Sequence, residues 1–546
     1  MFPEYRYYYL HNFQRALAWI EARCADLLDE AERGFLSSFA ALPPLSQALL
    51  VRLLMRRGPW FRASRLAYEE IPAIAEAAAP LLAAGWLAAD DPMTLEELFA
   101  LSTKAELAPL CAEAGLDPGS MRKADLLAAL QARAPAPRRY AEWRAHADIA
   151  WKVRAAALCE RLRLMFFGNL RQDWSEFVLA DLGVFQYEQV PLDRAARAFQ
   201  SRADIDCYLA LAACREAVDD GADVASLLRA LDACASANPW LEQRRAKVLL
   251  RLGQRCEREG DWGNAEGVYA QCAYPGARHR LVRVRERMGR HEAALALALQ
   301  ALRAPEDETE AQRLARMLPR LRRALGLAER PAGGVPGLAR EDVSLPRCGA
   351  ARVEEQLRAH LHRDEAPVHY VENTLINALF GLLCWPAVFA PVPGAFFHPF
   401  QRGPADLDAP DFHARRRPLF DACLAALDDG SYRDVILRRH AEKAGIQSPF
   451  VSWAALTEPL LRLALDCIAA PHLKLYFQRL ARDVRNNRSG LPDLIRFWPS
   501  EKRYELIEVK GPGDRLQDNQ IRWLRYCAEH GLPARVCHVT WQEEGA

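Results

Sequence analysis

Two carboxylates and a lysine near the C-terminus have the types and spacing to do chemistry together. Leu491-Pro492-Asp493-Leu494-Ile495-Arg496-Phe497-Trp498 and Arg503-Tyr504-Glu505-Leu506-Ile507-Glu508-Val509-Lys510 both read as strands, with Pro499-Ser500-Glu501-Lys502 between them. If those four residues are a hairpin loop, Trp498 pairs with Arg503 and the register sets Asp493 opposite Glu508. Directly opposed Cβ atoms lie about 4.5–5.5 Å apart. Alternation along the strand then puts Glu508 and Lys510 on one face and turns Ile507 and Val509 into a core. Converging carboxylates repel unless a cation sits between them, and a hard divalent ion with oxygen ligands, Mg²⁺ or Mn²⁺, suits the pair. The chemistry that follows is metal-assisted hydrolysis of a phosphodiester. Lys510 would stand beside the attacking water as charge stabiliser or proton acceptor, which an arginine can hardly do. Only eight of the 72 basic residues are lysine, so a lysine here departs from the chain's habit. A hairpin with solvated charges shows the same Asp-x(14)-Glu-x-Lys pattern, and spacing alone does not separate the two.

A catalytic hairpin needs a body to hold it. At about 150 residues per domain, 546 residues predict three to four domains. Hydrophobic residues at 51% and charged residues at 26% exclude a disordered chain. No apolar run approaches the about 18 residues of a membrane span, and none opens the chain as a signal peptide would. The 14 cysteines are scattered without a Cys-x-x-Cys pair, which predicts reduced thiols in a soluble intracellular protein. The balance of 72 basic against 71 acidic residues does not exclude nucleic acid as a partner, because binding depends on where charge sits. Abundant Arg, Ala and Leu suggest a bacterial chain of high genomic GC content.

Residues 1–90 read as helices, with Leu10, Phe13, Leu17 and Ile20 at helical spacing. Arg56, Arg57, Arg62 and Arg65 surround Trp60, Phe61 and a Gly58-Pro59 turn, a composition suited to backbone phosphate and equally to a solvated helix end. In residues 91–135, Thr94 with Glu97 and Thr103 with Glu106 match the capping-box spacing. With Lys104, Arg122 and Lys123 at the helix starts, this unit resembles a SAP module, which holds duplex DNA. Ala134-Pro135-Ala136-Pro137 reads as a linker. Residues 140–330 read as helical throughout. There Gly260-Asp261-Trp262-Gly263-Asn264-Ala265 and Gly289-Arg290-His291-Glu292-Ala293-Ala294 recur at a 29-residue offset, like tetratricopeptide hairpins. Pro331–Gly337 is a second linker, and residues 349–546 mix helix with the hairpin. Arg479, Arg482, Arg485 and Arg488 recur every third residue before Asp493. On a helix they would spread around one side, either to hold phosphates, with Arg485 and Arg488 best placed, or as a solvated arginine face.

Pro492-Asp493 followed by Glu508-Val509-Lys510 resembles the PD-(D/E)xK nuclease signature, and Gly511 through Gln520 to Trp523-Leu524 resembles its VRR-NUC branch. The wider chain resembles the bacterial form of the Fanconi-associated nuclease 1 family. Tyr7–Phe13, Arg57–Arg62 and Phe166-Phe167-Gly168-Asn169-Leu170-Arg171-Gln172-Asp173 carry that likeness. The resemblance implies a multidomain, mainly α protein with helical N-terminal and repeat domains and a C-terminal α/β restriction-endonuclease-like nuclease domain. It implies a structure-specific 5′-flap endonuclease with 5′-to-3′ exonuclease activity in interstrand-crosslink repair, working on branched chromosomal DNA in a bacterial cytoplasm. It further implies Glu372, Asp493, Glu508 and the Val509 carbonyl as metal ligands, Lys510 as the catalytic lysine, and Gln520 as a residue orienting water or phosphate. Glu372 is expected at the start of a helix packed through Leu375, Ala378, Leu379 and Leu382. A Holliday-junction resolvase, an activity linked to stand-alone VRR-NUC domains, and a non-catalytic repair scaffold are the alternatives.

Overall fold

The computed structural model describes residues 6–133, 136–143, 148–174, 185–327, 339–346, 349 and 351–542. It is mainly helical and forms two compact units, Met1–Val184 with Phe199–Ile205, and Phe185–Ala198 with Asp206–Ala546.

In the first unit, helix Tyr8–Cys24 buries Leu10, Phe13, Leu17 and Ile20, as its periodicity predicts. Strands β1 (Trp60–Arg62), β2 (Leu87–Ala88) and β3 (Ala150–Val153) form an antiparallel sheet in the order β1-β3-β2. This corrects the reading of residues 140–330 as one helical domain. Strand β3 lies between β1 and β2, and helix Ala156–Phe167 packs on Tyr8–Cys24, so these residues complete the first unit. Ala150-Trp151-Lys152-Val153 is buried at three of its four positions and too short to display alternation. The SAP-like core of Met93, Leu98, Leu107, Leu126 and Leu130 is closed by Trp60, Tyr140 and Trp143, so it reaches past residue 135. Thr94 and Glu97 make the expected capping box. Thr103 and Glu106 make the same reciprocal bonds around a turn, and the next helix starts only at Ala108.

In the second unit, helices Pro239–Glu259, Trp262–Ala270, Ala277–Arg287, His291–Arg303 and Glu308–Ala324 stack, each on the next. Gly260 and Gly289 both take positive φ where a helix ends, and Ala265 and Ala294 are fully buried where helices cross. The 29-residue recurrence is thus a repeated turn and crossing. Residues 331–337 and 134–135 of the two expected linkers lie outside the described residues.

The hairpin belongs to a five-stranded mixed sheet. Strands β4 (Ala339–Leu345), β5 (Val368–Tyr370), β6 (Leu494–Trp498), β7 (Arg503–Lys510) and β8 (Ala534–Trp541) are ordered β4-β8-β7-β6-β5. β4 and β7 run parallel to β8, while β6 is antiparallel to β5 and β7. A parallel neighbour requires a crossover, here helix Asp518–Glu529 between β7 and β8. Strand β7 is buried on both faces. Tyr504 and Leu506 enter a core built with helices Leu375–Leu383 and Ala470–Arg482, and Ile507 and Val509 pack opposite with Leu357 and Val368. A central strand, held rigidly by neighbours on both edges, therefore carries Glu508 and Lys510.

Candidate active site

The predicted register is observed. Trp498 pairs with Arg503 and Leu494 with Ile507, which brings Asp493, one residue before Leu494, beside Glu508. Asp493 is fixed three ways. Its carbonyl accepts the Val371 N–H at 2.8 Å, and its Oδ2 accepts the Val509 N–H at 2.8 Å. The approach to it turns at Gly490, whose φ is +91° and where a Cβ would stand 2.8 Å from the Asn519 backbone, so no side chain is admitted. Asn373, itself left-handed at φ 51°, holds this turn by accepting the Leu491 N–H on Oδ1 at 3.1 Å.

Asp493 is 7% exposed, Glu508 0% and Lys510 8%. The Lys510 ammonium lies 2.8 Å from Glu508 Oε1, while Glu508 Oε2 is buried with no hydrogen-bond partner. Burial pushes the Asp493 carboxyl up to about 6, opposed by the Val509 N–H and assisted by the charges of Glu372 and Glu354. Burial likewise pushes Glu508 up to about 7, with Asp493 adding repulsion and Lys510 relieving part of it. A buried carboxylate with an unpartnered oxygen beside another carboxylate costs free energy that a cation would recover. All-oxygen donors of this kind fit a hard divalent ion.

Glu372 shares the electric field of the pair and stands in the turn that leads into helix Leu375–Leu383, three residues before it begins. Its side chain is exposed. Tyr370 Oη donates to its Oε2, and Asn373 Nδ2 donates to its Oε1 at 3.3 Å. Among the described residues, no three His, Cys, Asp or Glu side chains close into a finished metal-binding group. Sequence reading missed Glu354, in the first turn of helix Val353–Leu361, and Tyr370 at the end of β5. Acidic residues are ordinary in a helix's first turn, so Glu354 carried no distinguishing signal.

Other expectations come out differently. Gln520 is occupied as a cap: its Oε1 accepts the Gln517 N–H at 2.8 Å at the start of helix Asp518–Glu529. Arg479, Arg482, Arg485 and Arg488 do not share one helix, because Asp483 separates Ala470–Arg482 from the short helix Val484–Asn487. Arg479 is buried, ion-paired to Glu308 at 2.5 Å, with its guanidinium over Trp523 and Tyr526. It is packing, not a DNA contact. Arg482 and Arg485 are exposed, and Arg488 is 3.5 Å from Asp408.

In the first unit Arg62 is likewise buried, pairing with Glu106 at 2.6 Å and Asp148 at 2.8 Å. Arg65 shares Glu106, and Trp60 belongs to the core. Arg56 donates to Tyr68 Oη at 3.2 Å, while the Arg57 side chain is exposed. Lys123 gives its ammonium to the Ser102 carbonyl at 2.7 Å, Lys104 is half-buried, and Arg122 is exposed. His398 and Asp406 are buried, Asp406 in a two-bond pair with Arg416.

Three domain families match the chain. The VRR-NUC domain family matches residues 427–541, the FAN1 HTH domain residues 7–88, and the Fanconi anemia-associated nuclease SAP domain residues 92–143. The Fanconi-associated nuclease 1 homolog of Pseudomonas aeruginosa is 52% identical, the match covering 98% of this chain and 96% of that one. Fanconi-associated nuclease 1 of Homo sapiens is 26% identical over 97% of this chain and 62% of its own length. The crystal structure of paFAN1 bound to 2-nt 5′-flap DNA with a gap superposes with a TM-score of 0.89, at 51% identity and 100% coverage of both chains. By full-length likeness, domain order and nuclease core, the chain belongs to the Fanconi-associated nuclease 1 family of metal-dependent VRR-NUC nucleases.

Proposed function

We propose that the chain cuts 5′-flap DNA, with 5′-to-3′ exonuclease activity, in interstrand-crosslink repair on the chromosome of a bacterial cytoplasm, using Mg²⁺ or Mn²⁺. The observation that carries this is the buried Asp493–Glu508–Lys510 convergence with its unpartnered Glu508 oxygen. The likeness to a structure holding a 5′-flap DNA supports the substrate.

Asp493, Glu508, Glu372 and the Val509 carbonyl are the residues that would hold the ion. When bound, it supplies Lewis-acid polarisation of the phosphodiester and a lowered pKa for the attacking water. Asp493 directly precedes β6 and is bonded to the Val509 N–H of β7, which carries Glu508, so their separation is fixed before substrate arrives and costs no reorganisation in the reaction. Lys510 projects from the same face as Glu508, one strand period on, and offers a positive, proton-bearing group to the developing charge. Exposed Arg485 and the adjoining Arg482 and Arg488 would hold backbone phosphate just ahead of the site. In the first unit Arg56, Arg57, Lys104 and Arg122 remain candidates for the duplex.

A panel of 5′-flap, 3′-flap, four-way-junction and plain duplex DNA, each with Mg²⁺, Mn²⁺ or EDTA, tests the reading. Metal-dependent cutting that favours the 5′ flap is expected. Symmetric cutting of the junction would make the protein a resolvase, and binding without cutting would make it a scaffold.

A further inference from the structure

Among the described residues two pairs of thiols touch, Cys384 with Cys423 and Cys214 with Cys234. They differ in what surrounds them. Cys384 is fully buried between helices Leu375–Leu383 and Trp385–Val388, and Cys423 packs on the same core from helix Arg417–Asp429 while staying partly exposed. Cys384 gives its S–H to the Cys423 sulfur, which also accepts the Ala387 N–H and a bond from the Arg439 side chain. Arg439 is fixed in place by the carbonyls of Leu382, at 3.0 Å, and Leu383, and among the described residues no carboxylate is ion-paired to it. Three donors, one of them cationic, thus converge on one accessible sulfur, an arrangement that favours its thiolate. The Cys423 thiol is accordingly held below its ordinary value, by the Cys384 hydrogen bond first, against burial, with Arg439 and the Ala387 N–H adding to it. Burial pushes Cys384 well up. In the other pair both thiols are buried, and burial pushes both up.

We propose that Cys423 and Cys384 form a hydroperoxide-reactive modification site, with Cys423 the sulfur that is oxidised first and Cys384 the thiol that resolves it into a disulfide. The Cys423 thiolate attacks one oxygen of the hydroperoxide. An S–O bond forms as the O–O bond breaks, the leaving oxygen takes a proton as water or alcohol, and Cys423 becomes a sulfenic acid. The Cys384 sulfur then attacks Cys423. The S–S bond forms, the S–O bond breaks, and the departing hydroxide takes the Cys384 proton as water. Two thiols are oxidised and one peroxide is reduced by two electrons. The new bond would tie helix Arg417–Asp429 to the C-terminal end of helix Leu375–Leu383. The other end of that helix follows Glu372 and is held by Asn377 Nδ2, which donates to the carbonyls of Asn373 at 2.6 Å and Arg488 at 2.8 Å.

The test treats the reduced, full-length wild-type chain with hydrogen peroxide near neutral pH and maps its tryptic peptides by mass spectrometry without reduction. A Cys384–Cys423 link should appear ahead of any Cys214–Cys234 link, and dithiothreitol should return both thiols. Cys384→Ser should stop at the sulfenic acid, which dimedone labels at Cys423. Arg439→Gln should slow the loss of the Cys423 thiol by about 10-fold, as expected of a thiol returned toward its ordinary value. Absence of the Cys384–Cys423 link in the wild type, or a Cys214–Cys234 link forming as fast, would overturn the proposal. Dimedone labelling of Cys384 in Cys423→Ser, at the rate of Cys423 in the wild type, would overturn the assigned order. The wild-type peptide map decides the site even where a variant fails to fold.

Discussion

The Lys510 ammonium lies 2.8 Å from Oε1 of Glu508, and both side chains are buried at the end of a central strand. The pair neutralises one carboxylate oxygen and leaves the other free for a cation. Lysine and arginine differ here in what they can do with a proton. Lys510→Arg keeps the charge, so it should preserve DNA binding and folding yet fail to restore cleavage. Single-turnover cutting rates of wild type, Lys510→Arg and Lys510→Ala decide it. Near wild-type cutting by the arginine variant would reduce the role of Lys510 to charge alone.

The carboxylate pair ties stability to pH. Asp493 and Glu508 hold protons up to about 6 and about 7 in the folded chain, against ordinary values of 3.8 and 4.5. The folded state then binds more protons than the unfolded state between about pH 4 and 7, so stability falls as pH rises through that window and levels off above it. The loss is on the order of 3 kcal/mol per carboxylate. Denaturant melts in EDTA at pH 5 and pH 8 should show it, and the Asp493→Asn/Glu508→Gln variant should show a smaller difference. Mn²⁺, which binds the deprotonated folded site, should restore stability at pH 8. Equal pH dependence in variant and wild type would remove the pair as its source.

Tyr370 is hydrogen-bonded to the site through Glu372, its hydroxyl donating to Oε2. Partners of this kind orient metal-binding carboxylates, and losing one typically lowers metal affinity about 10–100-fold. Tyr370→Phe should weaken Mn²⁺ binding by that order in calorimetric titration, and should add little to Glu372→Gln in the double variant. Additive effects would show that Tyr370 does not act through Glu372.

The arginines separate into two groups with opposite signatures. Arg62→Ala leaves Glu106 and Asp148 without their buried cation, which costs on the order of 3 kcal/mol and should lower the melting temperature without changing the salt slope of DNA binding. Arg485→Ala with Arg488→Ala should do the reverse, lowering the slope by about 2 while the melt stays in place. A slope change in Arg62→Ala would return it to the DNA surface.

How much of the site is legible in the sequence follows from how far apart the interacting residues are. Asp493, Glu508 and Lys510 sit within one hairpin, where a four-residue connection fixes register and alternation fixes faces. Local rules alone therefore bring them together. Gln520 and Glu372 are less easily placed, because the bond of Gln520 to Gln517 depends on where a helix begins and that of Glu372 to Tyr370 on where strand β5 ends. Arg62 pairs with Asp148 across 86 residues and Arg479 with Glu308 across 171, and nothing in the local sequence marks such a partner. Strand β3 is hidden for a related reason, since four residues buried between two distant strands have no periodicity to read.

Asp493 is the residue on which the site depends most directly, because it is held by Val371 and Val509 and faces Glu508. The most direct test is to measure cleavage and binding of one 5′-flap DNA side by side for wild type and Asp493→Ala, with saturating Mn²⁺. The variant should bind the flap with unchanged affinity and lose cutting by more than the about 100-fold that an outer partner is worth. Cutting at the wild-type rate by Asp493→Ala would contradict the assignment of the carboxylate pair as the cutting site.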